Sequence, residues 1–206
     1  MTVRLVEPAH PTRQLREAIE KPLRTAREAL GGDHPDVHTA RRDLKRARAL
    51  VRLGRAAWEP SHRHELACQL RDAGRHASGT RDAEAVVEAV DRLRSHLAAQ
   101  YAEALDRLHD RLTSAASDTA RVPGPTPSIA AAHTEVKRAR RFLKHHPPRG
   151  RGRGVAVFAP GLTRIARRGA EALELARTHR ADPEAYHELR KRAKDLRHAV
   201  EFLEPA

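Results

Sequence analysis

The chain has 206 residues, with 40 Lys and Arg against 27 Asp and Glu, a formal net charge of +13. Such a surface attracts polyanions or acidic membranes, while 39% hydrophobic and 33% charged residues suit helices with narrow apolar faces and exclude all-β and collagen-like chains. A single cysteine, Cys68, excludes an internal disulfide framework and a cysteine-based zinc finger. No apolar run approaches the ~18 residues of a membrane span, so we expect a cytoplasmic protein without a membrane partner.

Apolar residues recur at helical spacing between breaks rich in Pro and Gly. The predicted helices, in chain order, are 12–30, 33–54, 62–77, 80–117, 128–145, 160–180 and 183–204. Asp33, Thr80 and Asp182 are predicted N-caps, because each offers an acceptor to the unpaired amides of a helix start. We therefore predict an all-α fold, with one domain over 1–206. The Pro-rich stretch Val122–Pro127 divides it into two antiparallel helical bundles, at about 12–121 and 128–204.

Two predicted helices repeat one another without a gap. Residues 33–48 match residues 182–197 at an offset of 149, so that Asp33 aligns with Asp182 and His38 with His187. The other aligned cations are Arg41 with Arg190, Arg42 with Lys191, Lys45 with Lys194, and Arg48 with Arg197. The repeat predicts a pseudo-twofold axis relating the two bundles.

The cations of each repeat fall on one side of its helix at about 100° per residue. In the first helix they are His38, Arg41, Arg42, Lys45, Arg48 and Arg52, with Ala40, Leu44, Ala47 and Val51 opposite. In the second they are His187, Arg190, Lys191, Lys194 and Arg197, with Leu189, Ala193, Leu196 and Val200 opposite. The first stripe has no acid on its side, and in the second only Glu201 interrupts the cations, so like charges repel unless an anion offsets them. We interpret both stripes as anion-binding faces.

Other cations and histidines are weaker candidates. Lys137, Arg140, Arg141 and Lys144 form a similar face on helix 128–145, and this face is equally typical of an exposed basic helix. Arg164 and Arg168 are further candidates on helix 160–180. Neighbouring cations are expected to keep His38 and His187 neutral until a phosphate arrives. The pairs His62/His64 and His145/His146 lack carboxylates or thiols at ligand spacing, so no metal site is predicted.

The two histidine helices, with the pattern His-x-x-Arg-x-x-x-Lys and an Arg ten residues after the His, resemble the CHAD family, the conserved histidine α-helical domain. Further similar segments are Leu70–Asp82, Pro160–Arg168 and Tyr186–Phe202. The resemblance implies two bundles around a basic central groove or pore that binds inorganic polyphosphate, with Arg46 added to the lining and with Arg81 and Asp82 in structural roles. His198 stands where the family commonly has Tyr, and Ala166 where an aromatic residue is frequent.

Three functions compete. The first is non-enzymatic binding of inorganic polyphosphate, with polyphosphate granules as a further partner. The second is binding of nucleic acid through its phosphate backbone, although 3% aromatic residues are too few for a base-stacking platform. The third is an enzyme of phosphoryl transfer, which the sequence disfavours because it has no glycine-rich phosphate loop and no paired glutamates on a strand. We expect no catalysis and no cofactor, and the oligomeric state stays open.

Overall fold

The computed structural model describes residues 10–78, 90, 91, 93, 94, 101–120, 127–149 and 154–204. Within these residues the chain forms only helices and turns, which confirms the all-α prediction. The α-helices are α1 (Pro11–Leu30), α2 (Val37–Leu53), α3 (Pro60–His76), α4 (Ala102–Ala120), α5 (Pro127–His145), α6 (Ala159–Thr178) and α7 (Pro183–Leu203). The predicted cap Thr80, the pair Arg81 and Asp82, and most of the 122–127 boundary lie outside the described residues. No helix of the described segments is long and apolar enough to cross a bilayer.

The start of α2 differs from the prediction. Asp33 was expected to cap a helix beginning there, but the cap is Asp36, whose carboxylate accepts a hydrogen bond from the Thr39 amide at 2.9 Å. Pro35 disfavours helical backbone at the residue before it, and Gly32 has a left-handed φ of 94°. The chain therefore turns through 31–36 before the helix can begin.

The predicted cap of α7 is confirmed, because Asp182 accepts from the Glu184 amide at 2.9 Å. The two histidine helices therefore begin at different points of the repeat. His38 is the second residue of α2, whereas His187 is the fifth residue of α7. The sequences align without a gap, but their first turns are not equivalent.

The core is built mainly from α1, α2, α3 and α5. Leu15, Ile19 and Leu23 of α1 are fully buried in it. Helix α5, which was expected to open the C-terminal bundle, packs against α1 and α3. An ion pair between Arg140 and Glu20 at 3.8 Å also joins α5 to α1. The two-bundle division and its pseudo-twofold axis remain predictions.

Helix α2 occupies the centre of the fold, because it contacts α1, α3, α6 and α7. Its predicted apolar seam, Ala40, Leu44, Ala47 and Val51, is at most 2% exposed. Helices α6 and α7 pack against each other and against α2. The approach of α6 is close at Gly161, where a Cβ atom would lie 2.5 Å from the carbonyl carbon of Leu53. This contact brings the first turns of α6 beside the end of α2.

The predicted apolar seam of α7 is only partly correct. Leu189 and Leu196 are half-buried, but Ala193 is exposed and Val200 is 37% exposed. The buried residues of α7 are instead Ala185 and Ala199. The packed face is rotated toward Ala199 because α7 lies against α2 and α6 together, and a repeat alignment does not encode that pair of neighbours.

Candidate anion-binding clefts

The first cationic cleft lies between α2 and α3 and has a volume of about 250 Å³. We call it the α2–α3 cleft. Cations three and four residues apart on each helix share a face, and the two faces meet here. Its cationic lining residues are Arg41, Lys45 and Arg48 of α2 and Arg71 and Arg75 of α3. Among the described residues, no carboxylate lines this cleft.

Arg48 is the most deeply placed cation of the α2–α3 cleft. Its burial lowers the pKa of the guanidinium, and the nearby Arg52 and Arg71 lower it further, while Asp195 opposes the change. Arginine nevertheless stays charged. Asp72 lies 3.7 Å from Arg71 and 3.6 Å from Arg75. Arg48 has no carboxylate within ion-pair distance in the described part of the chain, so a half-buried positive charge is left for an external anion to offset.

The second cleft is smaller, about 60 Å³, and lies where the end of α2 meets α3, α6 and α7. We call it the arginine cleft. A volume of that size holds a few water molecules. Its charged lining residues are Arg52, Arg55, Arg63, Arg164, Arg168, Arg192 and Asp195.

One carboxylate joins two walls of the arginine cleft. Asp195 of α7 lies 2.7 Å from Arg52 of α2 and 3.4 Å from Arg192 of its own helix. Burial lowers the pKa of Arg52, Asp195 opposes that change, and the neighbouring Arg192 and Arg168 add to it. Arg192 also pairs with Glu188. The remaining arginines of this cleft have no ion pair with a carboxylate of the described segments.

Helix α2 supplies residues to both clefts. Arg48 lines the first and Arg52, one helical turn later, lines the second. Counted over the described part of the chain, the two linings together hold eleven cations and one carboxylate. Guanidinium groups offer forked donors that match phosphate oxygens in pairs. The arrangement can therefore hold an extended anion with several negative groups.

The predicted site residues divide into two groups. Six of them line a cleft: Arg41, Lys45, Arg48, Arg52, Arg164 and Arg168. The others on α2 and α7 are exposed and line neither cleft: His38, Arg42, Arg46, His187, Arg190, Lys191, Lys194 and Arg197.

The cations of α7 are paired more than the sequence indicated. Lys191 lies 3.0 Å from Glu188 and 3.8 Å from Glu184, and Glu201, the one acid that the sequence placed among these cations, lies 2.7 Å from Arg197. Glu188 lies one turn and Glu184 two turns before Lys191, on a neighbouring strip of the helix that the predicted stripe did not include. The α7 face is therefore less strongly cationic than its sequence repeat in α2.

The weaker candidates on α5 do not line either cleft. Lys137 and Lys144 are exposed, and Arg140 is the partner of Glu20 described above. Arg141 borders a separate surface depression with Arg138. Within the described residues, no group of three or more His, Cys, Asp or Glu is arranged to hold a metal ion.

Six charged cleft residues were missed by the sequence reasoning: Arg55, Arg63, Arg71, Arg75, Arg192 and Asp195. Arg71 and Arg75 stand four apart inside the segment Leu70–Asp82, so like-charge spacing was a signal for them. Arg192 lies in the C-terminal motif but off the predicted stripe. Its position in the cleft depends on the rotation of α7 against α2.

A sequence model of the CHAD domain matches residues 13–206. The chain belongs to the CHAD family. The matched region contains every residue that lines the two clefts of this CHAD domain. No curated protein matches the chain significantly.

Proposed function

We propose that this CHAD domain binds inorganic polyphosphate without transforming it. One observation carries the proposal: among the residues that the structure describes, eleven cations and one carboxylate line two clefts on either side of the end of α2. Family membership supports it, since a polyphosphate-related function is consistent with the CHAD domain. We also propose that the protein is cytoplasmic and that it associates with polyphosphate granules.

The chemistry of the clefts favours a chain of phosphates over other polyanions. The described lining of the arginine cleft carries six guanidinium groups and no aromatic side chain, so it suits a phosphoryl group and offers no face on which a nucleobase could stack. Repeating phosphates then allow neighbouring groups to reach the cations of the α2–α3 cleft. Each guanidinium gains charge-assisted hydrogen bonds, and the mutual repulsion of the arginines is relieved.

We further propose that the two clefts belong to one basic groove. The exposed stripe of α7, with His187, Arg190, Lys191, Lys194 and Arg197, would engage the parts of a long polyphosphate that extend beyond the clefts. His38, Arg42 and Arg46 would do the same at the α2 side. The affinity for short polyphosphates would then depend on the cleft residues alone, and the affinity for long polyphosphates on the cleft residues and the exposed cations together.

The decisive experiment compares two variants of α6 by titration calorimetry with polyphosphates of graded length. Arg164→Glu/Arg168→Glu reverses two charges that line the arginine cleft. We expect this variant to lose more than tenfold in affinity, about 1.4 kcal/mol. Arg167→Glu on the same helix is the control, because Arg167 is 62% exposed, pairs with Glu171 at 3.1 Å and lines neither cleft. We expect the control to lose clearly less than half of that free energy, because only long-range charge contributes at Arg167.

Three results would contradict the proposal. Equal losses of binding free energy per reversed arginine in the two α6 variants would mean that net charge, and not the arginine cleft, determines affinity. Displacement of polyphosphate by duplex DNA or RNA at comparable phosphate concentration would favour the nucleic-acid function instead. Release of orthophosphate from polyphosphate and Mg²⁺ by the purified protein would overturn the absence of catalysis.

A further inference from the structure

Asp195 stands in an unusual position for a negative charge. It is the one carboxylate that lines the arginine cleft in the described part of the chain, where six arginines surround it. Its side chain is only 17% exposed and lies 2.7 Å from Arg52 and 3.4 Å from Arg192. The carboxylate therefore occupies the guanidinium donors that a bound phosphoryl group would need.

A carboxylate and a phosphoryl group use the same donors of arginine, in the same forked geometry. An anion that enters the free volume of about 60 Å³ beside Asp195 lies close to that carboxylate, and the two like charges repel strongly. A ligand that enters the cleft must consequently release Arg52 and Arg192 from Asp195. Binding then costs the ion pairs of the free protein, and this cost is the same whatever the charge of the entering anion.

We propose that Asp195 is an intramolecular competitor that closes the arginine cleft in the free protein and is displaced by a phosphoryl group. The inference rests on the proposed function and adds to it a reason why the cleft prefers anions of high charge. Anions of low charge, such as chloride or acetate, gain too little from the six arginines to replace an already bound carboxylate. Pyrophosphate and longer polyphosphates carry several negative groups, so they replace Asp195 at one end while their other phosphates contact further cations.

The test compares Asp195→Asn with Glu171→Gln, which removes one negative charge from an exposed pair on α6 outside both clefts. We expect Asp195→Asn to bind pyrophosphate at least fivefold more tightly than the wild type, and Glu171→Gln to stay within twofold. The melting temperature of ligand-free Asp195→Asn should fall, because Arg52 loses its counter-ion and Arg192 keeps only Glu188. Saturating pyrophosphate should then raise it by more than it raises that of the wild type.

A purely structural role for Asp195 predicts the opposite binding result. The melting temperature would fall in the same way, but the affinity for pyrophosphate would be unchanged or lower, and the inference would be overturned while the proposed function stood. If neither the wild type nor Asp195→Asn binds any polyphosphate, the proposed function fails first, and the inference with it.

A second measurement needs no variant and covers the case in which Asp195→Asn does not fold. The carboxyl ¹³C resonance of Asp195 in the wild-type chain reports on its guanidinium partners. We expect saturating pyrophosphate to shift this resonance, while the resonance of Glu171 stays in place. An unmoved Asp195 resonance in a protein that binds pyrophosphate would refute displacement.

Discussion

Arg41 and Arg190 are equivalent in the sequence repeat but differ in their surroundings. Arg41 is half-buried and lines the α2–α3 cleft beside Lys45 and Arg48, whereas Arg190 is exposed on α7. Charge reversal at Arg41 introduces a carboxylate among cations that the ligand contacts at any chain length. We therefore expect Arg41→Glu to weaken polyphosphate binding more than tenfold, about 1.4 kcal/mol, for short and long chains alike.

The equivalent change on α7 should depend on chain length. Arg190→Glu is expected to weaken binding more than tenfold only for polyphosphates long enough to reach the α7 face from the clefts. Circular dichroism should show unchanged helicity in both variants, because neither arginine is in the core. Unaltered affinity in both variants at every chain length would mean that neither stripe belongs to the site.

Single residues also show what the repeat could not predict. Helical periodicity places the cations of α2 on one side of their own helix, and the structure bears this out for the cleft residues Arg41, Lys45 and Arg48. Asp195 is different, because its partner Arg52 is 143 residues away in the chain. Periodicity within one helix carries no information on contacts between helices, so this pair could not be anticipated from the sequence.

At the scale of the helix, the contact between α6 and α2 depends on one glycine. A Cβ at Gly161 would lie 2.5 Å from the carbonyl carbon and 2.8 Å from the Cα of Leu53, and closer still to its carbonyl oxygen. These are backbone atoms, so α6 itself must move. We expect Gly161→Ala to lower the free energy of unfolding by about 1–3 kcal/mol, as measured by urea denaturation, and to weaken polyphosphate binding because Arg164 and Arg168 move with α6.

Gly169 offers a matched control on the same helix. A Cβ there meets no atom within 4 Å, and alanine is favoured over glycine inside a helix by about 0.5–1 kcal/mol. Gly169→Ala should therefore raise the free energy of unfolding and leave binding intact. If Gly161→Ala were also stabilising, the close approach of α6 to α2 would be wrong.

The boundaries of most helices could be predicted from apolar spacing and from the Pro and Gly breaks. The predicted 128–145 and 183–204 correspond to Pro127–His145 and Pro183–Leu203. The start of α2 was missed because two candidate caps, Asp33 and Asp36, stand three residues apart, and only the turn through Pro35 decides between them. Local sequence patterns therefore predict most helices. The clefts cannot be predicted in this way, because they depend on how α3, α6 and α7 pack around α2.

For the whole molecule, two histidines with lowered pKa values make the free energy of unfolding sensitive to acid. Burial, with contributions from Lys137 and Arg27, lowers the pKa of His133 below its usual 6.5. Burial likewise lowers the pKa of His146, and His62, His145 and Arg149 add to the shift. A histidine with a lowered pKa in the folded state contributes stability that is complete above pH 6.5 and is lost as the pH falls through the folded pKa.

The free energy of unfolding should consequently decrease as the pH is lowered below about 6.5. The ring of His146 stacks on His62 at 4.1 Å and on Phe142 at 4.4 Å between centroids, so His146→Phe keeps an aromatic ring while removing one titrating group. Urea denaturation between pH 7.5 and 5.5 should show a smaller pH dependence for His146→Phe than for the wild type. His34→Phe is the control, since His34 is exposed in the turn before α2. An equal change of slope in both variants would contradict the assignment to His146, because a general effect of removing one positive charge would then explain the acid sensitivity.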